Sequence, residues 1–288
     1  MADLPPLPKG KAGVGQRLRQ RLCRFETYRP HHLPFISSSM SDIKNNYTQL
    51  HWQRRSELFN LIFSRTNGEV YQGPFKGMKI LPKFNWGDGD TLGKLLGLYE
   101  NELFQALDYE IAIRKPRYII NVGCAEGFYG LGMARALPNS TAVLIDIEAK
   151  SIEIARENAQ VNGLNNVHFF AASNIDIINS YLSKNEETFI FMDAEGAEYD
   201  LLDPTKLVNL DKTTIAVEVH DTNRIFNALV ERFKDTHDIH MIKQGAKNPY
   251  LDIIADLDDY DKMILCCEGR GTTMYWFYMQ PKENEGQV

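Results

Sequence analysis

From Arg117 onward, short apolar runs alternate with stretches of helical period. The runs fall at 118–122, 142–146, 167–170, 189–193 and 215–219. Near-continuous apolar runs of this length are the mark of strands covered on both faces, as in parallel sheets. Between them lie helical patterns at 129–137, 151–162, 175–182, 198–208 and 223–233. Strands that alternate with helices of this length imply right-handed crossovers and a mostly parallel sheet. Two further strands are expected at 239–242 and 274–279. Residues 244–270, rich in Asp, Tyr and Lys, are too long for a plain connection and read as a substrate-side insertion.

Upstream of Arg117 the pattern is weaker. Residues 70–81 read as a hairpin broken at Gly73-Pro74, and an apolar helical period runs over 92–113, carrying Tyr99 and Glu100. Residues 14–24 interleave Leu18 and Leu22 with four arginines, a spacing that suits a membrane surface, a second subunit or the protein's own body. The expected organisation is therefore a basic N-terminal arm over 1–68, a hairpin and helical cap over 69–116, and an α/β core over 117–288.

Composition and charge narrow the functional classes. The chain has 288 residues, 43% hydrophobic and 24% charged, within the range of globular proteins. It shows neither a membrane-spanning apolar run nor the apolar run of a signal peptide, so a cytoplasmic protein is expected. The four cysteines lack a CxxC spacing and are read as reduced and structural. The net charge of −6 is unevenly spread: residues 1–60 carry ten Lys and Arg against four Asp and Glu, so this stretch stands at +6 and the remainder at −12. A basic arm could touch nucleic acid or an anionic membrane surface, but such a body repels polyanions, which disfavours a nucleic-acid partner; a homo-oligomer is a further expected possibility.

The candidate chemistry lies where strands end. In a doubly wound sheet the ligand sits beyond the carboxyl ends of the strands. The first strand ends in the turn Asn121-Val-Gly123-Cys124-Ala-Glu-Gly127, whose glycines permit a tight backbone and whose following helix offers free N–H groups. Asn121, Gly123, Cys124 and Gly127 are accordingly expected at a cofactor. Asp146 ends the second strand about twenty residues later, where a carboxylate accepts ribose hydroxyls; capping the next helix is its alternative role. Ala125 occupies the place where a dinucleotide fingerprint needs its second glycine, so the turn suits S-adenosylmethionine, which has no phosphate to cradle, better than NAD. An NAD(P)-dependent oxidoreductase and a non-catalytic scaffold acting through the basic arm remain the competing readings.

These segments resemble a known family. Residues 121–127, followed by Ala142-Val-Leu-Ile-Asp146 and Ile154-Ala-Arg-Glu-Asn-Ala-Gln-Val-Asn-Gly163, are similar to the first motifs of class I S-adenosylmethionine-dependent methyltransferases. Met192-Asp-Ala-Glu-Gly-Ala-Glu198 and Val217-Glu-Val-His220 resemble the paired signatures of the FkbM-type family within that class. Asn121 stands where an acidic residue commonly opens the first motif, and Ala125 where a glycine is common. The resemblance implies a Rossmann-like, seven-stranded, mostly parallel sheet with an antiparallel last hairpin. It also implies methylation of a hydroxyl on a sugar-like or other polyhydroxylated metabolite, with a small molecule or glycan as acceptor.

A hydroxyl acceptor must lose its proton. His220, at the end of the fifth strand, is expected as general base, because an imidazole ordinarily titrates near working pH. Asp193, at the end of the fourth strand, is expected beside it, either orienting the imidazole or joining His220 and Asp221 around Mg2+ or another divalent cation. Of the two carboxylates that flank Gly196, only Glu195 is expected near this point. Ser173 and Asn174 are placed to meet an adenine edge or to cap a helix. Tyr99 and Glu100 are candidates to cover the sulfonium end, and Arg270 to face an anionic acceptor.

Overall fold

The computed structural model describes residues 40–85, 90–172, 175–220, 224–270 and 272–283, with side chains from residue 49 onward. The chain divides into two units, Met1–Thr48 and Gln49–Val288, and the second carries the sheet and the site described below. The amphipathic stretch 14–24 lies outside the described residues, as do Ser173, Asn174 and Asp221.

The helices are α1 (Met40–Thr66), α2 (Thr91–Leu96), α3 (Phe104–Tyr109), α4 (Phe128–Ala136), α5 (Ala149–Val161), α6 (Ile175–Leu182), α7 (Glu198–Leu201), α8 (Ile225–Phe233) and α9 (Asp259–Cys266). The strands are β1 (Tyr118–Val122), β2 (Thr141–Asp146), β3 (Val167–Ala171), β4 (Thr188–Met192), β5 (Thr214–Glu218), β6 (His237–Lys243) and β7 (Tyr275–Pro281). They form one sheet in the order β3-β2-β1-β4-β5-β7-β6. The pairs from β3 through β5 are parallel, whereas β7 runs antiparallel to both β5 and β6. The doubly wound sheet with an antiparallel last hairpin is thus as the sequence led one to expect.

Strand periodicity explains why the runs are apolar throughout. Along β4, Phe189 and Phe191 enter one buried cluster while Ile190 and Met192 enter another on the opposite face. Side chains alternate across a pleat, so a strand with helices on both sides must be apolar at every position. The first cluster takes in Leu58, Phe59 and Ile62 of α1, Leu92 and Leu95 of α2, and Met133 of α4. The second takes in Ile178 of α6 and Leu229 of α8.

Several elements depart from their sequence reading. The helical period over 92–113 is interrupted at Gly97 and Glu100, both with left-handed backbones, and the stretch closes on a π-helical turn at Glu110–Arg114. The pattern over 198–208 gives only the single turn α7, because Pro204 cannot donate a helical hydrogen bond. The 70–81 hairpin reduces to one bridge between Glu69 and Lys79. The 244–270 segment contains α9 and is pinned to α1: Arg54 grips Asp261 through two nitrogens at 2.7 and 2.5 Å, and Arg65 grips Asp256 at 2.8 and 2.7 Å. The C-terminal half of α1 therefore packs with the core body.

The sheet order decides where a ligand can sit. The chain builds outward from β1 to β3, then returns to the other side of β1 with β4. Connections leave in opposite directions on either side of that reversal, which opens a crevice at the carboxyl ends of β1 and β4.

Candidate active site

A cavity of about 570 Å³ opens at that crevice. The volume falls in the range of small-molecule and cofactor sites. Gly123, Cys124, Asp146, Asp193 and His220 all contribute to its wall, so five residues singled out in the sequence, drawn from four strand ends, converge there.

The floor is the turn after β1, which carries three left-handed residues, Gly123 (φ 71), Ala125 (φ 45) and Gly127 (φ 91). A Cβ at Gly123 would lie 1.6 Å from the carbonyl oxygen of Asp193, so glycine is required for the β1 and β4 ends to meet. Ala125 costs roughly 1–2 kcal/mol in this conformation. Its N–H donates to Asp146 Oδ2 at 2.8 Å, while Glu148 N–H donates to Oδ1 at 2.9 Å. Asp146 thus ties the ends of β1 and β2 together. Each oxygen keeps a lone pair for a further donor, such as a ribose hydroxyl.

Three expected cofactor residues take other places. Asn121 is buried beneath the turn, where Oδ1 accepts from Gly130 N–H at 3.0 Å and Nδ2 donates to Phe191 O at 3.4 Å. It braces β1 to α4 and does not line the cavity. Gly127 is the N-cap of α4, packed against Leu131 and Ala155. Glu100 stands behind the wall, accepting from Tyr129 OH at 2.5 Å and pairing with Arg270; its neighbour Tyr99 faces the cavity. Burial pushes the Glu100 carboxyl up to about 7. Arg270 also pairs with Glu218 and lies 3.4 Å from Glu268, so carboxylates already satisfy it and it is not free to hold an anionic acceptor.

The opposite end of the cavity centres on His220. Its Nδ1 lies 2.8 Å from Glu198 Oε1, and that oxygen also accepts from the N–H groups of Ala194 (3.1 Å) and Gly196 (3.0 Å). Its Nε2 faces Glu195 at 3.3 Å, Asp193 at 3.4 Å and Glu218 at 3.7 Å. Burial alone would lower the imidazole pKa, but the Glu198 hydrogen bond and the charges of Asp193 and Glu218 outweigh it and raise the value to about 9. Where the sequence suggested a histidine titrating near neutral, the surrounding carboxylates favour the charged form of the ring. Burial and the neighbouring Glu218 push the Asp193 carboxyl well up.

Asp193, Glu195 and His220 offer ligand atoms within 4.8 Å of one another, so Glu195 takes the place beside the two expected ligands. Asp221 lies outside the described residues. Sequence reasoning set Glu198 aside in favour of Glu195, whereas Glu198 holds His220 Nδ1, and it missed Glu218, Lys94 and Glu126. Glu218 had a signal, since residues two apart on a strand share a face and His220 follows by that interval. Lys94, far upstream on α2, had none.

Residues 114–231 match the methyltransferase domain family. The chain is 34% identical over 68 residues to the uncharacterized protein YbxB of Bacillus subtilis (strain 168), covering 23% of this chain and 34% of that one. It is 30% identical over 122 residues to the 23S rRNA (uracil(1939)-C(5))-methyltransferase RlmD of Marinomonas sp. (strain MWYL1), covering 39% of this chain and 27% of that one. The matches thus span about a third of the length of these relatives. Among solved structures, the chain resembles the ribosomal protein L11 methylase of Lactobacillus delbrueckii subsp. bulgaricus, with 17% identity, 75% of this chain and 92% of that one covered, and a TM-score of 0.42. It also resembles the precorrin-6y C5,15-methyltransferase of Geobacter metallireducens GS-15, with 10% identity, 63% and 88% covered, and a TM-score of 0.41. No helix among the described residues is long and apolar enough to cross a membrane.

Proposed function

We propose that this chain is a methyltransferase that binds S-adenosylmethionine in the 570 Å³ cavity and transfers its methyl group to a hydroxyl of a sugar-like or other polyhydroxylated metabolite, in the manner of the FkbM-type family. One observation carries this reading: Asp146 closes onto the β1 turn at one end of the cavity, while His220 presents Nε2 among carboxylates at the other. The first end suits a ribose and the second a hydroxyl acceptor.

S-adenosylmethionine held there would supply a methyl group on a sulfonium, open to displacement by the acceptor oxygen with the sulfur–methyl electron pair leaving on sulfur. In-line alignment of these atoms supplies most of the acceleration. The acceptor proton passes to Nε2 of His220 in its neutral form, and Glu198 holds the ring so that Nε2 faces the cavity. Arg270 is neutralised by Glu100 and Glu218, so the described wall around His220 favours neutral over phosphorylated acceptors.

As an alternative to a base, His220 could join Asp193 and Glu195 around a divalent cation, with Nε2 then a ligand that takes no proton: two carboxylates and an imidazole converge, and Asp193 Oδ1 is buried without a hydrogen-bond partner. A cation held by these three would lower the pKa of an acceptor hydroxyl.

Titration calorimetry tests the reading. Saturable S-adenosylmethionine binding to the wild-type protein, lost in Asp146→Asn with the fold intact by circular dichroism, is the expected result. Absence of binding to the wild type, or tight NADH binding in its place, would overturn it. Incubation with a panel of polyols and glycans should add one methyl group by mass spectrometry, and exhaustive chelation tests the cation separately.

A further inference from the structure

We propose that Lys94 and Glu126 form the seat for the amino-acid end of the cofactor, giving up their mutual ion pair to take its α-carboxylate and α-ammonium. This rests on the reading of the cavity as an S-adenosylmethionine site.

Both side chains line the cavity and are nearly buried, at 8% and 12% exposure, and Lys94 Nζ contacts Glu126 Oε1 directly. Burying a charge pair costs several kcal/mol per ion in lost hydration, so replacing such a pair with apolar groups is often neutral or stabilising. A pair kept at the wall of a ligand cavity is therefore weakly explained by stability. Lys94 Nζ also sits 4.8 Å above the centre of the Tyr99 ring, which holds the ammonium over the cavity by cation–π attraction.

The pair is the electrostatic counterpart of an amino-acid zwitterion. Lys94 supplies a donor for a carboxylate, and Glu126 supplies an acceptor for an ammonium. Exchange of partners leaves the net charge of the wall unchanged and strands neither buried ion. The position fits as well: within one turn, Ala125 N–H faces Asp146, which suits the ribose, and the adjacent Glu126 reaches across to α2. The other basic side chains on the described wall, His220 and Arg270, already face two or more carboxylates.

S-adenosylhomocysteine and 5′-methylthioadenosine share the adenosine and sulfur and differ in the amino-acid tail, so their affinities isolate this seat. Calorimetry on the wild type should show S-adenosylhomocysteine binding tighter by roughly tenfold to a hundredfold, the range for charged hydrogen bonds. Lys94→Met keeps the apolar packing and should collapse that preference to a few-fold, while 5′-methylthioadenosine affinity stays within about twofold; Lys94→Arg should restore part of it. Glu126→Gln should weaken S-adenosylhomocysteine alone. An unchanged preference in Lys94→Met, or equal weakening of both ligands, would show that the pair only braces the turn and would overturn the inference. Equal wild-type affinity for the two overturns this inference alone, whereas binding of neither overturns the cofactor reading as well.

Discussion

Replacement of Gly123 by alanine tests the junction on which the cavity is built. Gly123 and Gly163 have nearly the same left-handed backbone, φ 71 and φ 66, so the conformational cost of a Cβ is the same at both. Their surroundings differ. A Cβ at Gly163 meets nothing within 4 Å, whereas at Gly123 it would lie 1.6 Å from the carbonyl oxygen of Asp193. No side chain can rotate away there, because the obstacle is backbone at the end of β4. Gly163→Ala should therefore cost about 1 kcal/mol, the left-handed penalty less the entropy recovered from the unfolded chain. Gly123→Ala must separate the β1 and β4 ends by well over an ångström and should cost about 3–5 kcal/mol, combining overpacking with backbone strain. Urea denaturation followed by circular dichroism measures both, provided the slopes agree. Because Asp193 shares this junction, cofactor binding should fall in Gly123→Ala and persist in Gly163→Ala. Equal destabilisation of the two variants would refute the close approach and, with it, the account of how the turn meets β4.

Glu110 and His220 carry the remaining expected outcomes. Glu110 is 1% exposed, accepts from Tyr278 OH at 2.5 Å and is pushed by burial from 4.5 to about 7. Its folded value exceeds the unfolded one, so the associated stability is present below about pH 4.5 and is lost as pH rises through 7. Glu110→Gln should gain up to about 3 kcal/mol over wild type at pH 8 and nothing at pH 4, measured by denaturation at both. If His220 is the base, kcat/KM should rise with pH through a limb near 9, since the imidazolium must first lose its proton. Glu198→Gln should move that limb down by roughly 1–2 units by removing the charge beside Nδ1; an unmoved limb would assign it to another group.

The hydrophobic pattern alone determined the core of this fold. Strands buried on both faces must be apolar at every position, so β1, β2, β4 and β5 announce themselves in any reading of the chain. The left-handed turn at Gly123 and the acidic residue closing β2 are also local features, because backbone conformation and strand ends are set within a few residues. What faces what across the crevice is a different matter. Asn121 lies in the motif yet points beneath the turn to brace α4, and Glu198, at the start of α7, folds back to fix His220. Arg270 meets Glu100 from 170 positions away, and Lys94 meets Glu126 from an element with no strand pattern to place it. The shift of His220 to about 9 likewise belongs to neighbours drawn from separate segments. Charge, burial and partner choice at the site depend on distances between strand ends, and only the assembled sheet fixes those.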